Sequence, residues 1–264
     1  MRLRDAGALS GAFLVLCTFA GCSAFHNNNH VIYENKQDNP HFKSDVNTPH
    51  AISQNEVALA EEYIKMGKYD LALDRLQKAV KAEPSSPDPY TMLGLLNERL
   101  NRPEQAEANY AKAVKLAPDK GDYLNNYGAW LCRSGHPAEA DADFRKALAD
   151  PFYKTPSEAM ENAALCAMKA GKPGVAEAYS QQILAVDPNN TGALQTMADV
   201  LYRRGDYMNA RGFIERYMTA ASKPDPEALD LAARIEDKLG DHDGARDYRN
   251  RLGGEFPQYR PTQN

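Results

Sequence analysis

The stretch MGKYDLA at 66–72 decides the fold, because it returns five more times along the chain. It comes back as LNRPEQA (100–106), SGHPAEA (134–140), AGKPGVA (170–176), RGDYMNA (204–210) and LGDHDGA (239–245). The punctuating residues are Gly67, Asn101, Gly135, Gly171, Gly205 and Gly240, at spacings of 34, 34, 36, 34 and 35. Glycine ends a helix by entering the left-handed region, and asparagine is its natural substitute there. A helix therefore stops at each of these points and another starts soon after. Small residues recur seven positions before the turn (Ala60, Gly94, Gly128, Ala164, Ala198, Ala233), and alanines five after it (Ala72, Ala106, Ala140, Ala176, Ala210, Ala245). Small side chains at a helix contact let the two axes approach closely.

A period near 34 built from helix-turn-helix units is the signature of the tetratricopeptide repeat. Leu59, Ala60, Tyr63, Ala72, Leu76, Ala79 and Pro84 match that pattern in the first unit, and Pro118, Pro188 and Pro257 close later units as Pro84 closes the first. Counting fourteen residues back from each turn puts the unit starts at 53, 87, 121, 157, 191 and 226. The expected fold is all-α, a right-handed superhelical solenoid of six repeats over 53–259, followed by a tail at 260–264. The third-to-fourth junction carries a two-residue insertion in DPFYKTPS (150–157).

Composition sets outer limits. The chain has 264 residues, 43% hydrophobic and 25% charged, with 31 basic against 36 acidic side chains and a net charge of −5. That balance is ordinary for a globular protein and lacks the basic excess of a nucleic-acid binder. Ahead of the repeats, Arg2 and Arg4 precede a nine-residue apolar run, AFLVLCTFA (12–20). The run is far short of the roughly 20 residues needed to span a bilayer, and the order of charge, apolar core and small residues is that of an export signal. The following Phe19-Ala20-Gly21-Cys22 resembles a bacterial lipobox. Residues 1–21 are then a lipoprotein signal peptide and Cys22 a lipidated N-terminus. Ser23 after the cysteine implies, by the same resemblance, sorting to the outer membrane. Residues 22–52, rich in asparagine and histidine and without apolar period, read as a flexible tether. His26, His30, His41 and His50 lie in it with no scaffold to converge them on a metal, so neither a metal nor a cofactor is expected.

A solenoid offers an extended concave surface lined by the first helix of each unit. By resemblance to peptide-binding tetratricopeptide domains, the groove positions are the second, fifth, ninth, twelfth and thirteenth of each unit. They place Val57, Glu61, Ile64, Leu95, Asn125, Ala129, Leu165 and Met168 over the first four units, but Glu227, Asp230, Arg234, Asp237 and Lys238 in the sixth. An apolar strip suits an apolar peptide or amphipathic helix; a charged end suits solvent or a solenoid cap. Asn126 and Asn162, both at sixth positions, could hold a peptide backbone or bond to a neighbouring helix. Arg99, Arg133 and Lys169 share thirteenth positions, but Thr91, Asn125 and Glu161 stand at the fifth. A carboxylate clamp is therefore not expected. Cys132 and Cys166 fall on neighbouring first helices. In an oxidising envelope they can form a bridge worth about 3–4 kcal/mol on the chain-entropy model; two buried thiols are the alternative, and the bridge is the expectation. No H-E-x-x-H, G-x-x-x-x-G-K or G-x-S-x-G motif occurs, and nothing is placed to activate Cys132, so no enzyme or small-molecule substrate is expected.

The middle repeats carry a more specific likeness. LNNYGAWLCRSGHPAEA (124–140), ALADPFYKTPSEAMENAALCAMKAGK (147–172) and RRGDYMNARGFIERYM (203–218) resemble the tetratricopeptide lipoproteins of type IV pili, the PilF/PilW pilotin family. Asn-Asn-Tyr-Gly, the Leu-Cys after it, the Asp-Pro insertion and Glu-Asn-Ala-x-Leu-Cys occur there in the same order. The resemblance implies an outer-membrane, lipid-anchored protein on the periplasmic face whose partner is the secretin subunit of the type IV pilus. It would promote secretin localisation and multimerisation, and hence pilus biogenesis, or would help stabilise the pilus. A general envelope scaffold, for instance for cell-wall machinery, is the competing expectation.

Overall fold

A computed structural model describes residues 48–260. Cys22, the signal peptide and residues 261–264 lie outside them, as does the tether up to Asn47. The described residues form helices in six pairs. These are α1 (Pro49–Lys65) with α2 (Tyr69–Ala82), α3 (Asp88–Arg99) with α4 (Pro103–Leu116), and α5 (Gly121–Arg133) with α6 (Pro137–Ala149). Then come α7 (Pro156–Lys169) with α8 (Pro173–Val186), α9 (Thr191–Arg204) with α10 (Tyr207–Ala220), and α11 (Pro226–Leu239) with α12 (His242–Glu255).

One boundary moves. Residues 49–52, placed in the tether by their composition, are the first turn of α1. Thr48 Oγ1 accepts from the Ala51 N–H at 3.1 Å, and Pro49 occupies the first helical position, where no N–H is needed. His50 accordingly belongs to that helix and meets Glu83, Nδ1 to Oε2 at 2.9 Å.

The six turns are made as the repeat requires. Gly67, Gly135, Gly171, Gly205 and Gly240 have φ between +69° and +89°, and Asn101 has φ +55°, the one non-glycine residue with positive φ among those described. The small positions on both sides of the turns are buried: the six alanines after the turn are fully covered, and Ala60, Ala164, Ala198 and Ala233 nearly so. At Gly94 the fit is closer still. A Cβ there would stand 2.8 Å from the Tyr110 ring, so the glycine is what lets α4 lie against α3.

Each unit packs on the next, and first helices also touch directly where α1 meets α3, α5 meets α7, α7 meets α9 and α9 meets α11. The tenth position of the unit records this stacking. Leu96, Trp130, Cys166, Val200 and Ile235 bury it in units two to six, whereas Glu62 in unit one is exposed. The tenth position of the first unit is thus polar, as suits a unit with no repeat stacked before it among the described residues. Because the helices alternate in direction, one edge carries the start of α1 and every connection from an even to an odd helix. Hydrogen bonds tie neighbouring connections along it. Asp150 Oδ2 accepts from the Gly121 N–H at 3.0 Å, and Arg216 donates to the Pro188 carbonyl at 2.7 Å. The inserted segment is held here: Asp150 also accepts from the Phe152 N–H at 2.9 Å, and Tyr153 packs over Gly121.

Candidate functional site

The expected groove residues do not form one strip. At its amino-terminal end Ile64 and Leu95 meet in a cleft of about 570 Å³ between α1 and α3, completed by Glu61, Lys65, Gly67, Tyr69, Met92 and Arg99. The floor is apolar and the rim charged. Lys65 pairs with Glu61 at 2.9 Å and Glu62 at 3.0 Å, and these bonds raise its pKa. Val57 is half-buried and packs into the core of the first pair instead of lining the cleft. Met92 sits at the sixth position of its unit, and Tyr69 just follows a turn. Both lie outside the five groove positions, Met92 at the sixth position that Asn126 and Asn162 occupy in their units.

The middle of the face is built differently. Asn162 Nδ2 donates to Asn125 Oδ1 at 3.0 Å, joining α7 to α5. That bond realises the helix-to-helix alternative and leaves Asn125 buried. Asn126 stays exposed on α5. Ala129 packs against the cluster around Tyr110, Trp130 and Phe144, and Met168 against the one around Ala164 and Val200. Leu165 stands apart at 54% exposure on α7. Cys132 and Cys166 are joined as a disulfide, with Cα atoms 5.7 Å apart, so α5 and α7 are covalently clamped beside the Asn pair.

Side chains also bridge α3 and α5. Arg133 donates through Nε and NH2 to the Glu98 carboxylate at 2.9–3.2 Å, and Tyr110 OH donates to the same carboxylate at 2.6 Å. Burial, first, and the hydrogen bond to Glu98, second, push the Tyr110 phenol above its ordinary range. Arg133 is thereby committed to structure. Of Arg99, Arg133 and Lys169, Arg99 lines the apolar cleft, beside Lys65 from the same position of unit one. Among the described residues no group of three or more His, Cys, Asp or Glu is placed to hold a metal ion. What the face can do chemically is take up apolar side chains next to charged ones.

The tetratricopeptide repeat family models match residues 57–128 and 167–235. The type IV pilus assembly protein PilF of Pseudomonas aeruginosa is 27% identical over 201 residues, spanning 76% of this chain and 79% of that protein. Among solved structures, PilW, a widely conserved type IV pilus biogenesis factor, is 31% identical with a TM-score of 0.73, over 79% of this chain and 95% of that one. The chain belongs to this family of type IV pilus biogenesis tetratricopeptide proteins. The P. aeruginosa PilF structure agrees, at 26% identity and a TM-score of 0.72 over 80% of this chain and 95% of that one. The pilus biogenesis family to which the chain belongs is a family of protein-interaction scaffolds, and its all-α repeats supply a surface where an enzyme would supply a catalytic pocket.

Proposed function

We propose that this chain is a pilotin: an outer-membrane lipoprotein, anchored through Cys22, that binds the secretin subunit of the type IV pilus and promotes its localisation and multimerisation. The observation that carries the reading is the apolar cleft between α1 and α3, found in a chain whose family serves pilus biogenesis. A secretin subunit must cross the periplasm with membrane-destined apolar surface exposed. A cleft of this size, floored by Ile64, Met92 and Leu95 and rimmed by Glu61, Lys65 and Arg99, suits an amphipathic segment of such a partner. Anchorage by lipid keeps the pair at the membrane where the ring assembles.

The test replaces Leu95 by Glu and, separately, Leu165 by Glu, both partly or largely exposed, so the fold tolerates them. The expected result is loss of secretin multimers in favour of monomers for Leu95→Glu, with the variant still folded by circular dichroism. Multimers at wild-type level in both variants would overturn the assignment. An unaltered secretin ring in a deletion strain would turn the reading towards a scaffold for another envelope complex.

A further inference from the structure

Phe152 and Val186 are the most exposed large apolar side chains among the described residues, at 78% and 77%. Phe152 sits in the connection from α6 to α7 and Val186 ends α8, so both stand on the edge where α1 begins. Phe152 forms part of the wall of an open cleft of about 500 Å³, with Pro118, Lys120, Leu124 and Pro151. The two side chains stand one repeat apart, each at the carboxy-terminal side of a second helix. Lysines accompany the first tip. Lys120 Nζ is 5.8 Å from the Phe152 ring centre, Lys146 lines the shallow cleft beneath it, and Lys154 is exposed two residues on. Of the acids beside it, Asp150 is occupied by the Gly121 and Phe152 N–H groups, Lys146 meets Asp143 at 3.6 Å, and Asp119 remains in the cleft.

We propose that this edge rests on a lipid surface, with Phe152 and Val186 at the boundary between headgroups and acyl chains. An aromatic tip with ammonium groups beside it has the chemistry of that boundary: the ring leaves water while the lysines reach lipid phosphates. The chain's own connectivity favours lipid as the occupant. Thr48, which caps α1 at this same edge, follows Cys22 by twenty-six positions in the chain. That length of chain reaches at most about 90 Å, so an anchor at Cys22 confines this edge to the neighbourhood of the bilayer and raises its effective concentration there. Two weakly inserting tips then suffice. The inference rests on the lipid anchor at Cys22 in the proposed function, and it adds an orientation: the solenoid stands with its even-to-odd connections towards the membrane.

The experiment uses the full lipidated chain in phosphatidylethanolamine–phosphatidylglycerol vesicles. An environment-sensitive fluorophore is attached at Phe152→Cys, at Val186→Cys or, on the opposite edge, at Met208→Cys. Blue-shifted emission at 152 and 186 with water-like emission at 208 is the expected result. Phe152→Ser should lower the membrane-apposed fraction, read from the 186 probe, by several-fold. Chains that fail to float with the vesicles would overturn anchor and orientation together. Chains that float with a water-like probe at 152 would overturn the orientation alone. So would a probe at 152 that responds only to added secretin subunit and not to lipid.

Discussion

The two ends of the solenoid share a backbone plan and differ in chemistry. Between α1 and α3 a cleft is floored by Ile64, Met92 and Leu95. Between α10 and α12 a cleft of about 340 Å³ is lined by Arg211, Glu215, Glu236, Asp241, Asp247, Tyr248 and Arg251. Arg211 there pairs with Glu215 at 3.0 Å and Glu236 at 3.2 Å, and Arg249 pairs with Asp237 nearby. Burial pushes the Glu236 carboxyl up, and Arg211 opposes the shift. The small buried positions around each turn are the same at both ends. The repeat therefore fixes the stacking and leaves exposed positions free, so one end can carry an apolar cleft and the other a charged one.

The largest effect should come from the clamp between the halves. Reducing the Cys132–Cys166 bridge, or replacing both cysteines by serine, should cost about 3–4 kcal/mol for a 34-residue separation, read as a lower urea midpoint. Amide exchange should then quicken in α5–α8 first. A midpoint indifferent to reductant would show that the two halves need no clamp. Next comes the close packing common to both ends. Gly94→Ala should destabilise by about 1–3 kcal/mol, because its methyl meets the Tyr110 ring. Ala198→Gly, the equivalent position in unit five, should cost about 1 kcal/mol for the opposite reason, backbone freedom. If Gly94→Ala were neutral by thermal melt, the tight fit in the first half would be no constraint.

A third measurement contrasts the ends directly. Leu95→Glu should weaken binding to the purified secretin subunit at least tenfold by titration, whereas Arg211→Glu should leave it within about twofold. Equal losses would erase the distinction between a binding end and a closing one. The smallest effect lies at the inserted segment. The Gly121 and Phe152 N–H groups, in that order, hold the Asp150 carboxyl below its usual range. A lowered folded-state pKa contributes stability that is present above about pH 4 and lost as pH falls through the folded value. Asp150→Asn should therefore lower the melting temperature by a few degrees at pH 7 and by less near pH 3.

Much of the architecture is legible in residues alone, because a left-handed turn admits few side chains. Asn101 reads as a turn beside five glycines for that reason, and its φ of +55° agrees. The start of α1 was less legible. The Asn-rich composition before it outweighed the Thr48-Pro49 cap, which is itself a helix-start signal. The groove was legible only in part. Spacing tells which residues sit on a first helix, but the distance between neighbouring first helices decides what faces solvent. Asn125 and Asn162 bond to each other because α5 and α7 are close, and Val57, Ala129 and Met168 turn into packing for similar reasons. Met92 and Tyr69 reach the cleft from outside the five nominal positions.

The disulfide has a mechanical consequence. Units that touch only their neighbours behave under tension as springs in series, and each junction opens according to its own stiffness. A covalent tie between α5 and α7 removes one spring from the series. With the anchor and cleft occupant proposed above, a pull between membrane and partner would be borne on the amino-terminal side of the tie. The junctions that yield first would be those nearest the cleft.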